Sequence, residues 1–463
     1  MTSPRLRGMT LTVTERCNLR CGYCYVPVEH GRTMSPGIAD AAVDLFLRHA
    51  ADGAKLDLSF FGGEPFLVPE LLERAVTRTR AGGRNVRVAT PTNGTLLEDQ
   101  NLSLCRRHGL ELAVSLDGEP RSSDRPFAGG GDSTDRLVAL LPGILELDPG
   151  ARLTARMTVT PANVDELSEN VRTLAGLGFH RIVFLPAYEL PWGDDAVASW
   201  KREHERIGTW LVGLAGTGRR APDLPTWRGV ESRLLLGKPR RACGAGARLA
   251  AVSVDGDIYP CYRFVFAEHR EEFRLGDVRD GFTNAEALAL FAALDPKLAQ
   301  PEDGDCRTCE ARDGCTFFCP ALGFWTLRDP LAVPATACRL ARAQVEAIRP
   351  YAALQPRRAA PRSRSRWAAA VVATAVTGAA AAASCYSSTD DTGSDVVAEA
   401  SDDAAGDVGG EDGYVGGVCP VGADADADED MIGPGICAVG PDADADADDD
   451  APTPGECPVP GIC

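Results

Sequence analysis

The chain has 463 residues, with 48 Lys and Arg against 66 Asp and Glu, which gives a formal net charge of −18. The last 80 residues, from Ser384 to Cys463, hold 21 of the acidic residues and no Lys or Arg, so the rest of the chain carries 48 basic and 45 acidic side chains. This length allows roughly two to three domains with a real core, which excludes a wholly disordered chain. The nearly neutral body argues against a nucleic-acid-binding protein.

Short apolar runs alternate with amphipathic stretches over residues 8–216, a pattern typical of parallel strands joined by helical crossovers. We predict strands at residues 9–14, 56–61, 86–90, 110–115, 153–160 and 181–185. Helical patterns lie between them at residues 39–50, 69–80, 135–147 and 163–177, the last with Asn163 as its N-cap. Six such units predict an α/β fold with a partial (β/α)6 TIM-type barrel, whose chemistry lies at the carboxyl ends of the strands.

The second half of the chain changes character. Residues 243–338 are rich in Cys and Gly, and a hairpin is expected at residues 249–261 with its turn at Asp255-Gly256. So few apolar residues favour a small domain held by metal. The final part is acidic and repetitive, with too few apolar groups to fold, so we expect it to be disordered. The predicted domains are a barrel (1–216), a linker with the Cys-rich domain (217–350), an Arg-rich linker with an Ala-rich apolar segment (351–383) and an acidic tail (384–463).

Three cysteines directly follow the first predicted strand, as Cys17-Asn-Leu-Arg-Cys21-Gly-Tyr-Cys24. Three thiolates in one loop fit an iron-sulfur cluster that keeps one iron free of protein ligands. A structural zinc site, the alternative, needs a fourth ligand, for which His30 is the only nearby candidate. Because the spacings are short and the chain opens without a signal peptide, the cysteines also indicate a reducing compartment.

A second motif, Phe60-Phe61-Gly62-Gly63-Glu64-Pro65, ends the second predicted strand. Its glycines allow close backbone approach to a ligand, and its carboxylate can bind an ammonium group. Together, the CxxxCxxC loop and the Gly-Gly-Glu-Pro strand end resemble the signature of the radical S-adenosylmethionine (radical SAM) enzymes. The resemblance covers residues 8–216.

This resemblance implies a [4Fe-4S] cluster on Cys17, Cys21 and Cys24, whose fourth iron chelates the methionine moiety of SAM. The other implied SAM contacts are Gly62, Gly63, Glu64 and Pro65, Thr92-Asn93-Gly94, Ser115-Leu116-Asp117-Gly118, and Arg136. Of these, the Gly-Gly-Glu group meets the SAM amino group, and Arg136 neutralises its carboxylate unless it is an ordinary helical surface arginine. Such enzymes cleave SAM reductively to methionine and a 5′-deoxyadenosyl radical that abstracts a substrate hydrogen. An external electron donor of the flavodoxin or ferredoxin type is also implied.

Seven further cysteines follow a second pattern, Cys243, Cys261, Cys306-x2-Cys309-x5-Cys315-x3-Cys319 and Cys338. It resembles the SPASM extension of peptide-modifying radical SAM enzymes, which carries two auxiliary [4Fe-4S] clusters. The implied ligands are Cys306, Cys309, Cys315 and Cys338 for one cluster, and Cys243, Cys261 and Cys319 for the other, which is one ligand short. A structural zinc ribbon is the alternative, although seven thiolates suit neither one nor two tetrahedral sites.

The chain departs at two positions from the sulfatase-maturing members of this subfamily. They carry an extra cysteine six residues after the first, where this chain has Leu249. They also follow the hairpin cysteine with an aspartate that acts as a base, where this chain has Tyr262. Both departures weigh against formylglycine formation on a sulfatase, which is the alternative function, and the sequence does not identify a catalytic base.

The tail repeats a short block around Cys419, Cys437 and Cys457, and the first two blocks are followed by Asp-Ala runs. This pattern resembles a ribosomal peptide substrate fused to its own maturase, and we predict thioether formation between a tail cysteine and a nearby carbon. The stretch from residue 346 to residue 419 spans roughly 45 Å as a flexible chain, so reach is no obstacle. The alternatives are a maturase for a separate protein and a non-enzymatic, metal-held scaffold that displays the tail.

The apolar run at residues 367–383, followed by Ser384-Cys385, resembles a lipoprotein signal peptide inside the chain. Seventeen mostly Ala residues are short and weakly apolar for a spanning helix. The segment is a relic export signal, a membrane anchor or a plain linker. We expect a cytoplasmic catalytic body, with any membrane association through this segment.

Overall fold

Six parallel strands alternate with six helices in the first half of the computed structural model, which describes residues 4–118, 124–147, 153–217, 219–352 and 354. The strands are β1 (Gly8–Thr14), β2 (Leu56–Gly62), β3 (Val86–Thr92), β4 (Glu111–Ser115), β5 (Leu153–Val159) and β6 (Ile182–Pro186). The helices are α1 (Pro36–His49), α2 (Pro69–Ala81), α3 (Asp99–His108), α4 (Thr134–Leu145), α5 (Leu167–Gly176) and α6 (Asp194–Gly216). The predicted tail and the apolar segment lie outside the described residues.

The six strands pair in chain order, and every pair is parallel. Strand β6 forms one edge of the sheet, so the described strands do not close into a full barrel. The expected partial (β/α)6 barrel is confirmed, with strand bounds within one or two residues of the prediction. Strand β2 is buried at six of its seven positions, as expected for a parallel sheet whose faces are both covered.

The start of α1 is capped by a side chain, whereas the side-chain cap that the sequence predicts before α5 does not form. The Ser35 hydroxyl accepts a hydrogen bond from the backbone N–H of Ile38 at 3.3 Å, one residue before Pro36 opens α1. Asn163 lies at the predicted N-cap position, but its side chain makes no capping hydrogen bond. Its side-chain oxygen instead accepts from the backbone N–H of Thr160 at 2.8 Å, and a 3-10 turn precedes α5. The side-chain amide of Asn163 thus closes the turn that follows β5.

The second half of the chain extends the barrel sheet. Its helices are α7 (Pro225–Leu236), α8 (Tyr262–Val265), α9 (Ala285–Ala292), α10 (Pro320–Leu327) and α11 (Ala335–Ala352). Its strands are β7 (Leu249–Val252), β8 (Asp257–Tyr259), β9 (Gly276–Asp277), β10 (Gly281–Phe282), β11 (Gln300–Pro301) and β12 (Ala332–Val333). Strand β7 pairs parallel with β1, and β7 and β8 form the expected hairpin, whose Gly256 has a φ of +98°. Ten strands therefore share one sheet, in the order β10-β9-β8-β7-β1-β2-β3-β4-β5-β6.

The last helix, α11, packs against the last barrel helix, α6. The indole N–H of Trp200 donates to the carbonyl oxygen of Leu340 at 3.2 Å, and Lys201 pairs with Glu346 at 2.9 Å. One continuous buried core extends from Leu6 to Ile348, so the barrel and the Cys-rich region are held together by shared packing. Within the described ranges, no helix is long and apolar enough to cross a membrane.

Candidate active site

A cavity of about 320 Å³ opens at the carboxyl ends of the barrel strands. Its lining includes residues from the ends of five strands, β2 to β6: Gly62, Gly63, Thr92, Asn93, Ser115, Thr158 and Pro186. Pro65 and the three cysteines that follow β1 line the same cavity. The structure therefore brings six of the twelve predicted SAM contacts together with the predicted cluster loop, whereas Glu64, Gly94, Leu116, Asp117, Gly118 and Arg136 do not line the cavity.

The loop after β1 holds Cys17 and Cys21 partly withdrawn from water and leaves Cys24 exposed. Burial is the largest cause that raises the pKa of Cys17, to about 12, and that of Cys21. The charges of the other two cysteines raise the pKa of Cys17 further, so the three sulfurs are close enough to interact. Thiolates in this loop need the positive charge of a bound metal centre, which fits the loop as a ligand set for an iron-sulfur cluster.

The close approach of the cysteine loop requires the glycine pair at the end of β2. A Cβ on Gly62 would lie 1.9 Å from the carbonyl oxygen of Thr14, and one on Gly63 would lie 2.1 Å from that of Arg16. The backbone N–H groups of Gly63 and Glu64 donate to these same two carbonyls, each at 2.8 Å. Gly62 also has a φ of +134°, which L side chains rarely adopt. The two glycines therefore fix where the cysteine loop begins.

The carboxylate of Glu64 is buried and ties the end of β2 to the end of β3. It accepts hydrogen bonds from the backbone N–H of Asn93 at 2.7 Å, the hydroxyl of Thr92 at 2.9 Å and the backbone N–H of Phe66 at 3.1 Å. Burial raises its pKa to about 7 in spite of these three donors. Glu64 does not line the cavity, unlike the glycines before it and Pro65 after it. Direct contact between this carboxylate and the SAM amino group therefore stays a prediction.

A buried ion pair beside Cys21 joins Asp117, a predicted SAM contact, to Arg125, which no motif marks. Arg125 donates to both carboxylate oxygens of Asp117, at 2.6 and 2.8 Å, and its guanidinium carbon lies 5.3 Å from the ring centre of Tyr23. The backbone N–H of Thr158 donates to Asp117 at 2.9 Å, which joins β5 to the same group. The charge of Arg125 opposes the rise in the pKa of Cys21. Arg125 also lines the cavity, so it is a cation next to the predicted cluster loop.

Arg136 is not brought to this cavity. It lies on α4, where its guanidinium pairs with Glu98, and the two side chains are 44% and 62% exposed. Its predicted contact with the SAM carboxylate remains untested by the structure, which instead lines the cavity with Arg125 and Arg156. No sequence motif marks Arg125. It is a single arginine in a loop, and its ion-pair partner, Asp117, lies eight residues earlier in the chain.

The seven later cysteines fall into two groups in the structure. One group consists of Cys306, Cys309, Cys315 and Cys338, and the other of Cys243, Cys261 and Cys319. Burial raises the pKa of Cys338 to about 11, and the charges of the other three members of its group raise it further. Burial likewise raises the pKa of Cys261 to about 12, with further contributions from Cys319 and Cys243. These two groups match the two ligand sets implied by the resemblance. Among the described residues, every cysteine is free of disulfide bonds.

The second group reaches the same cavity as the first cysteine loop. Cys319, which precedes the first residue of α10, is part of the cavity lining. Nearby, Arg263 pairs with Glu189, and the guanidinium carbon of Arg263 lies 5.0 Å from the ring centre of Tyr25. Glu189 is the only acidic side chain among the described residues that line the cavity. No motif surrounds Glu189, so its place in the lining cannot be predicted from the sequence.

Tyr262 occupies the position that follows the hairpin cysteine. Its ring packs 4.5 Å from that of Phe61, centre to centre, and the residue is buried. Burial raises its pKa well above the ordinary value of tyrosine, so its hydroxyl stays protonated at neutral pH. Tyr262 therefore does not replace the aspartate base of the sulfatase-maturing enzymes.

No three His, Cys, Asp or Glu side chains in the described part of the chain are arranged to hold a single metal ion.

Comparison with known proteins identifies the family of this barrel. The radical SAM superfamily profile matches residues 11–174. GTP 3′,8-cyclase of Xanthomonas axonopodis pv. citri is 30% identical, over 55% of this chain and 80% of that protein. AdoMet-dependent heme synthase of Methanosarcina barkeri is 26% identical, over 68% of this chain and 90% of that protein. The serine-type anaerobic sulfatase-maturating enzyme of Klebsiella aerogenes is 25% identical, over 66% of this chain and 77% of that protein.

Solved structures share the fold at lower sequence identity. The structure of anSMEcpe with bound AdoMet superposes with a TM-score of 0.63 at 18% identity, covering 75% of this chain and 98% of that one. Streptococcus suis SuiB bound to the precursor peptide SuiA superposes with a TM-score of 0.51 at 13% identity, covering 72% and 76%. The chain belongs to the radical SAM superfamily of enzymes, which bind SAM at a [4Fe-4S] cluster, and the spacing of its later cysteines resembles that of the SPASM extension.

Proposed function

We propose that this chain is a radical SAM peptide maturase that forms thioethers in its own tail, residues 384–463. The observation that supports the proposal best is the single cavity lined both by Cys17, Cys21 and Cys24 and by Cys319. A substrate held in this cavity lies between the SAM site and the second cysteine group. The tail supplies the cysteines that such a reaction needs, at Cys419, Cys437 and Cys457 among others.

The proposed reaction balances with SAM as a two-electron oxidant. When bound at the first cysteine loop, the [4Fe-4S] cluster supplies the electron that starts SAM cleavage, and a flavodoxin- or ferredoxin-type protein reduces it. In net terms, one C–S bond of SAM and one C–H and one S–H bond of the peptide break, while the C–S bond of the crosslink and a C–H bond of 5′-deoxyadenosine form. The electron that started the cleavage is given back when the crosslink closes. The products are methionine, 5′-deoxyadenosine, the crosslinked peptide and one proton. Each crosslink therefore removes two hydrogens from the tail.

The chain's own residues position the reactants and accept the proton. Gly62 and Gly63 expose backbone to the cavity, and Asn93 and Ser115 add polar groups at the neighbouring strand ends. Glu64 acts as a positioning residue, because it fixes the ends of β2 and β3 from behind. We assign the proton of the tail thiol to the carboxylate of Glu189, the acidic group in the described lining.

We also propose that the two later cysteine groups hold auxiliary [4Fe-4S] clusters. The group of Cys306, Cys309, Cys315 and Cys338 offers four thiols, which is a complete ligand set. The group of Cys243, Cys261 and Cys319 offers three, which leaves a place for one further ligand. Because Cys319 lines the cavity, a tail thiolate in the cavity can fill that place. Such thiol-rich sites fit a cytoplasmic catalytic body, where cysteines stay reduced.

The proposal is tested by anaerobic reconstitution of the intact chain with iron and sulfide, followed by SAM and a reductant. We expect 5′-deoxyadenosine to form and the tail to lose two hydrogens per crosslink in digests analysed by mass spectrometry. The variant Cys17→Ala should abolish both. The triple variant Cys419→Ser, Cys437→Ser, Cys457→Ser should still cleave SAM but lose the mass change in the tail fragments that contain these three positions. SAM cleavage without any change of tail mass in the unaltered chain contradicts self-modification.

Modification of a separate protein is the second candidate, favoured by the similarity to a sulfatase-maturating enzyme. Under this alternative, the triple serine variant keeps full turnover when the separate protein is added. The buried Tyr262, at the position of the aspartate base, weighs against formylglycine formation. Membership of an enzyme superfamily sets aside the non-enzymatic scaffold. The apolar segment at residues 367–383 lies outside the described residues, and fractionation of a tagged chain tests its membrane association.

A further inference from the structure

An apolar corner of the cavity, on the side of the sheet that ends at β6, carries one amide side chain. Phe184 of β6 and Trp200 of α6 line this corner, and Gln344 of α11 lines the same cavity. The helix α11 reaches this place because it packs against both α6 and α7. The mechanism above gives Gln344 no role, so its amide is an unassigned polar group in the cavity wall.

The orientation of the Gln344 amide follows from its buried partner, His204. The ring nitrogen Nδ1 of His204 lies 2.7 Å from the carbonyl oxygen of Trp200, and its Nε2 lies 3.1 Å from the side-chain nitrogen of Gln344. Burial lowers the pKa of His204 to about 4, so the imidazole is neutral and carries one N–H. Because a carbonyl oxygen can only accept, that N–H lies on Nδ1. Nε2 is then the acceptor, and the amide nitrogen of Gln344 donates to it.

His204 is itself held in one position by aromatic packing. Its ring centre lies 4.3 Å from that of Trp200, 5.6 Å from that of Phe184 and 6.4 Å from that of Trp227. The residue has no exposed surface. An imidazole that packs among three aromatic rings keeps one orientation, and it fixes the rotamer of the glutamine that donates to it. The amide of Gln344 is therefore pre-organised at the cavity.

Part of the hydrogen-bonding capacity of this amide is not used within the protein. The nitrogen carries two N–H groups, and one of them donates to His204. Gln344 makes no other hydrogen bond with the described residues. Its second N–H and its carbonyl oxygen are thus available to a ligand in the cavity. In an apolar corner, such groups bind a complementary partner more strongly than they would in water.

We infer that Gln344 binds the main chain of the peptide substrate, an inference that rests on the proposed function. A side-chain amide and a peptide unit carry the same donor and acceptor, so the free N–H and the carbonyl oxygen of Gln344 can pair with one peptide C=O and one peptide N–H. The predicted SAM contacts that line the cavity lie at the ends of β2, β3 and β4. Gln344 lies on the β6 side, which leaves it for the second reactant.

Main-chain recognition also fits the tail, because the repeated blocks of the tail differ in sequence. The block around Cys419 reads Gly-Val-Cys-Pro-Val-Gly, and the block around Cys437 reads Gly-Ile-Cys-Ala-Val-Gly. A contact with a peptide unit accepts both blocks, since it does not depend on their side chains. The substrate class is thus a non-helical peptide whose main-chain N–H and C=O groups are free to pair.

A binding measurement tests the inference without any turnover. The reconstituted chain is folded intact and then cut at a protease site inserted after Cys385, which removes the competing tail and leaves the core from Leu6 to Ile348 untouched. The probe is a fluorescently labelled peptide of residues 417–430, and anisotropy in the presence of SAM gives its dissociation constant. Gln344→Met, which keeps the side-chain length but has no amide, should raise this constant by about tenfold. Gln344→Leu, a second uncharged variant, should behave in the same way.

The matched control for these variants is Gln100→Met, the same change at an exposed position of α3. It should alter the dissociation constant by less than about twofold. Iron content and SAM affinity should stay the same in all of the variants, which shows that the cysteine loop and the cofactor site are intact.

Probes with a methylated backbone separate a direct contact from a structural role of Gln344. A methyl group is placed on one backbone nitrogen at a time between residues 417 and 430, leaving out Pro420. At one position or more, methylation should raise the dissociation constant by about tenfold for the unaltered chain and by less than about twofold for Gln344→Met. Such coupling between one peptide nitrogen and one side chain does not arise when the side chain only supports the fold.

Four results overturn the inference. They are equal affinity of the probe for Gln344→Met and Gln100→Met, no binding of the probe to the unaltered chain, no methylation whose effect depends on Gln344, and a tenfold loss of SAM affinity in Gln344→Met, which assigns the amide to the cofactor. If binding depends on Gln344 as expected but the tail of the full chain is not modified, the recognition stands and the proposed reaction fails. If the probe ignores Gln344 while the full chain does modify its tail, the recognition fails alone.

Discussion

Gly63, like Gly62 before it, leaves no room for a side chain at the site. A Cβ there lies 2.1 Å from the carbonyl oxygen of Arg16, so Gly63→Ala must push the cysteine loop away from β2. We expect the variant to lose most of the iron bound at Cys17, Cys21 and Cys24, with a loss of unfolding free energy of about 1–3 kcal/mol. Iron analysis and urea denaturation measure both.

A matched control for this substitution is Gly129→Ala, because a Cβ at Gly129 meets no atom within 4 Å. That variant should keep its iron and its stability. Full iron content in Gly63→Ala contradicts the role assigned to the glycine pair.

The structure and the sequence point to different arginines as the one that binds the SAM carboxylate, Arg125 and Arg136 respectively. Arg125 lines the cavity beside Cys21 in a buried, bidentate pair, so Arg125→Lys keeps the charge but loses the fork. We expect it to weaken SAM binding by about tenfold. Arg136→Met removes an exposed pair with Glu98, worth at most about 1 kcal/mol, and should change SAM affinity by less than twofold. Equilibrium binding of SAM to the reconstituted enzyme measures both effects. A larger loss of SAM affinity in Arg136→Met than in Arg125→Lys would show that Arg136 binds the SAM carboxylate.

At this scale, the sequence predicts which cysteines lie together better than it predicts where single side chains point. The cysteine groups follow from the spacing, because the spacing is itself a chemical signal, and their role as cluster ligands stays a prediction. The inward turn of Glu64 is not found, because its partners Thr92 and Asn93 come from the next strand, some 28 residues later. Arg125 and Glu189 belong to no motif, so only the fold brings them to the cavity.

Among the elements, the barrel follows from local pattern and the sheet extension does not. The six strands are predicted within one or two residues because buried parallel strands read as short apolar runs. The pairing of β7 with β1 joins Gly8 to Leu249, positions 241 residues apart, and no local pattern encodes such a contact. This pairing explains how the Cys-rich region is seated beside the barrel and why Cys319 can share its cavity.

The packing of α6 against α11 predicts a pH-dependent stability. His204 is fully buried, with its ring nitrogens facing the carbonyl of Trp200 at 2.7 Å and the amide of Gln344 at 3.1 Å. Burial lowers its pKa from 6.5 to about 4. The folded state therefore holds a neutral imidazole, and its stability contribution is present above pH 6.5 and is lost as the pH falls towards 4.

When the pH is lowered from 7.5 to 5, we expect the unfolding free energy of the parent chain to fall by about 2 kcal/mol more than that of the His204→Gln variant. Urea denaturation at the two pH values measures both. The substitution His180→Gln, at an exposed position, should leave the pH dependence of the parent chain unchanged. An identical pH dependence for the chain with and without His204 contradicts the burial account.

In the molecule as a whole, charge is divided between two parts. The acidity is concentrated in the 80-residue tail, while the body is close to neutral and lines its cavity with seven basic side chains and one acidic one. A uniform net charge of −18 predicts none of this, because it averages the two parts. The tail's composition is visible in the sequence, but the set of basic side chains in the lining is not, since they come from five separate segments between residues 125 and 263.

The central claim is that the barrel modifies the tail of the same chain. The most direct measurement is the intact mass of tail fragments from the full chain after anaerobic incubation with SAM and reductant, compared with the Cys17→Ala chain. The account predicts the loss of two hydrogens per crosslink, located by fragmentation to peptides that contain Cys419 or Cys437, with one 5′-deoxyadenosine formed for each. Tail fragments of identical mass in the two chains, while SAM is being cleaved, would contradict it.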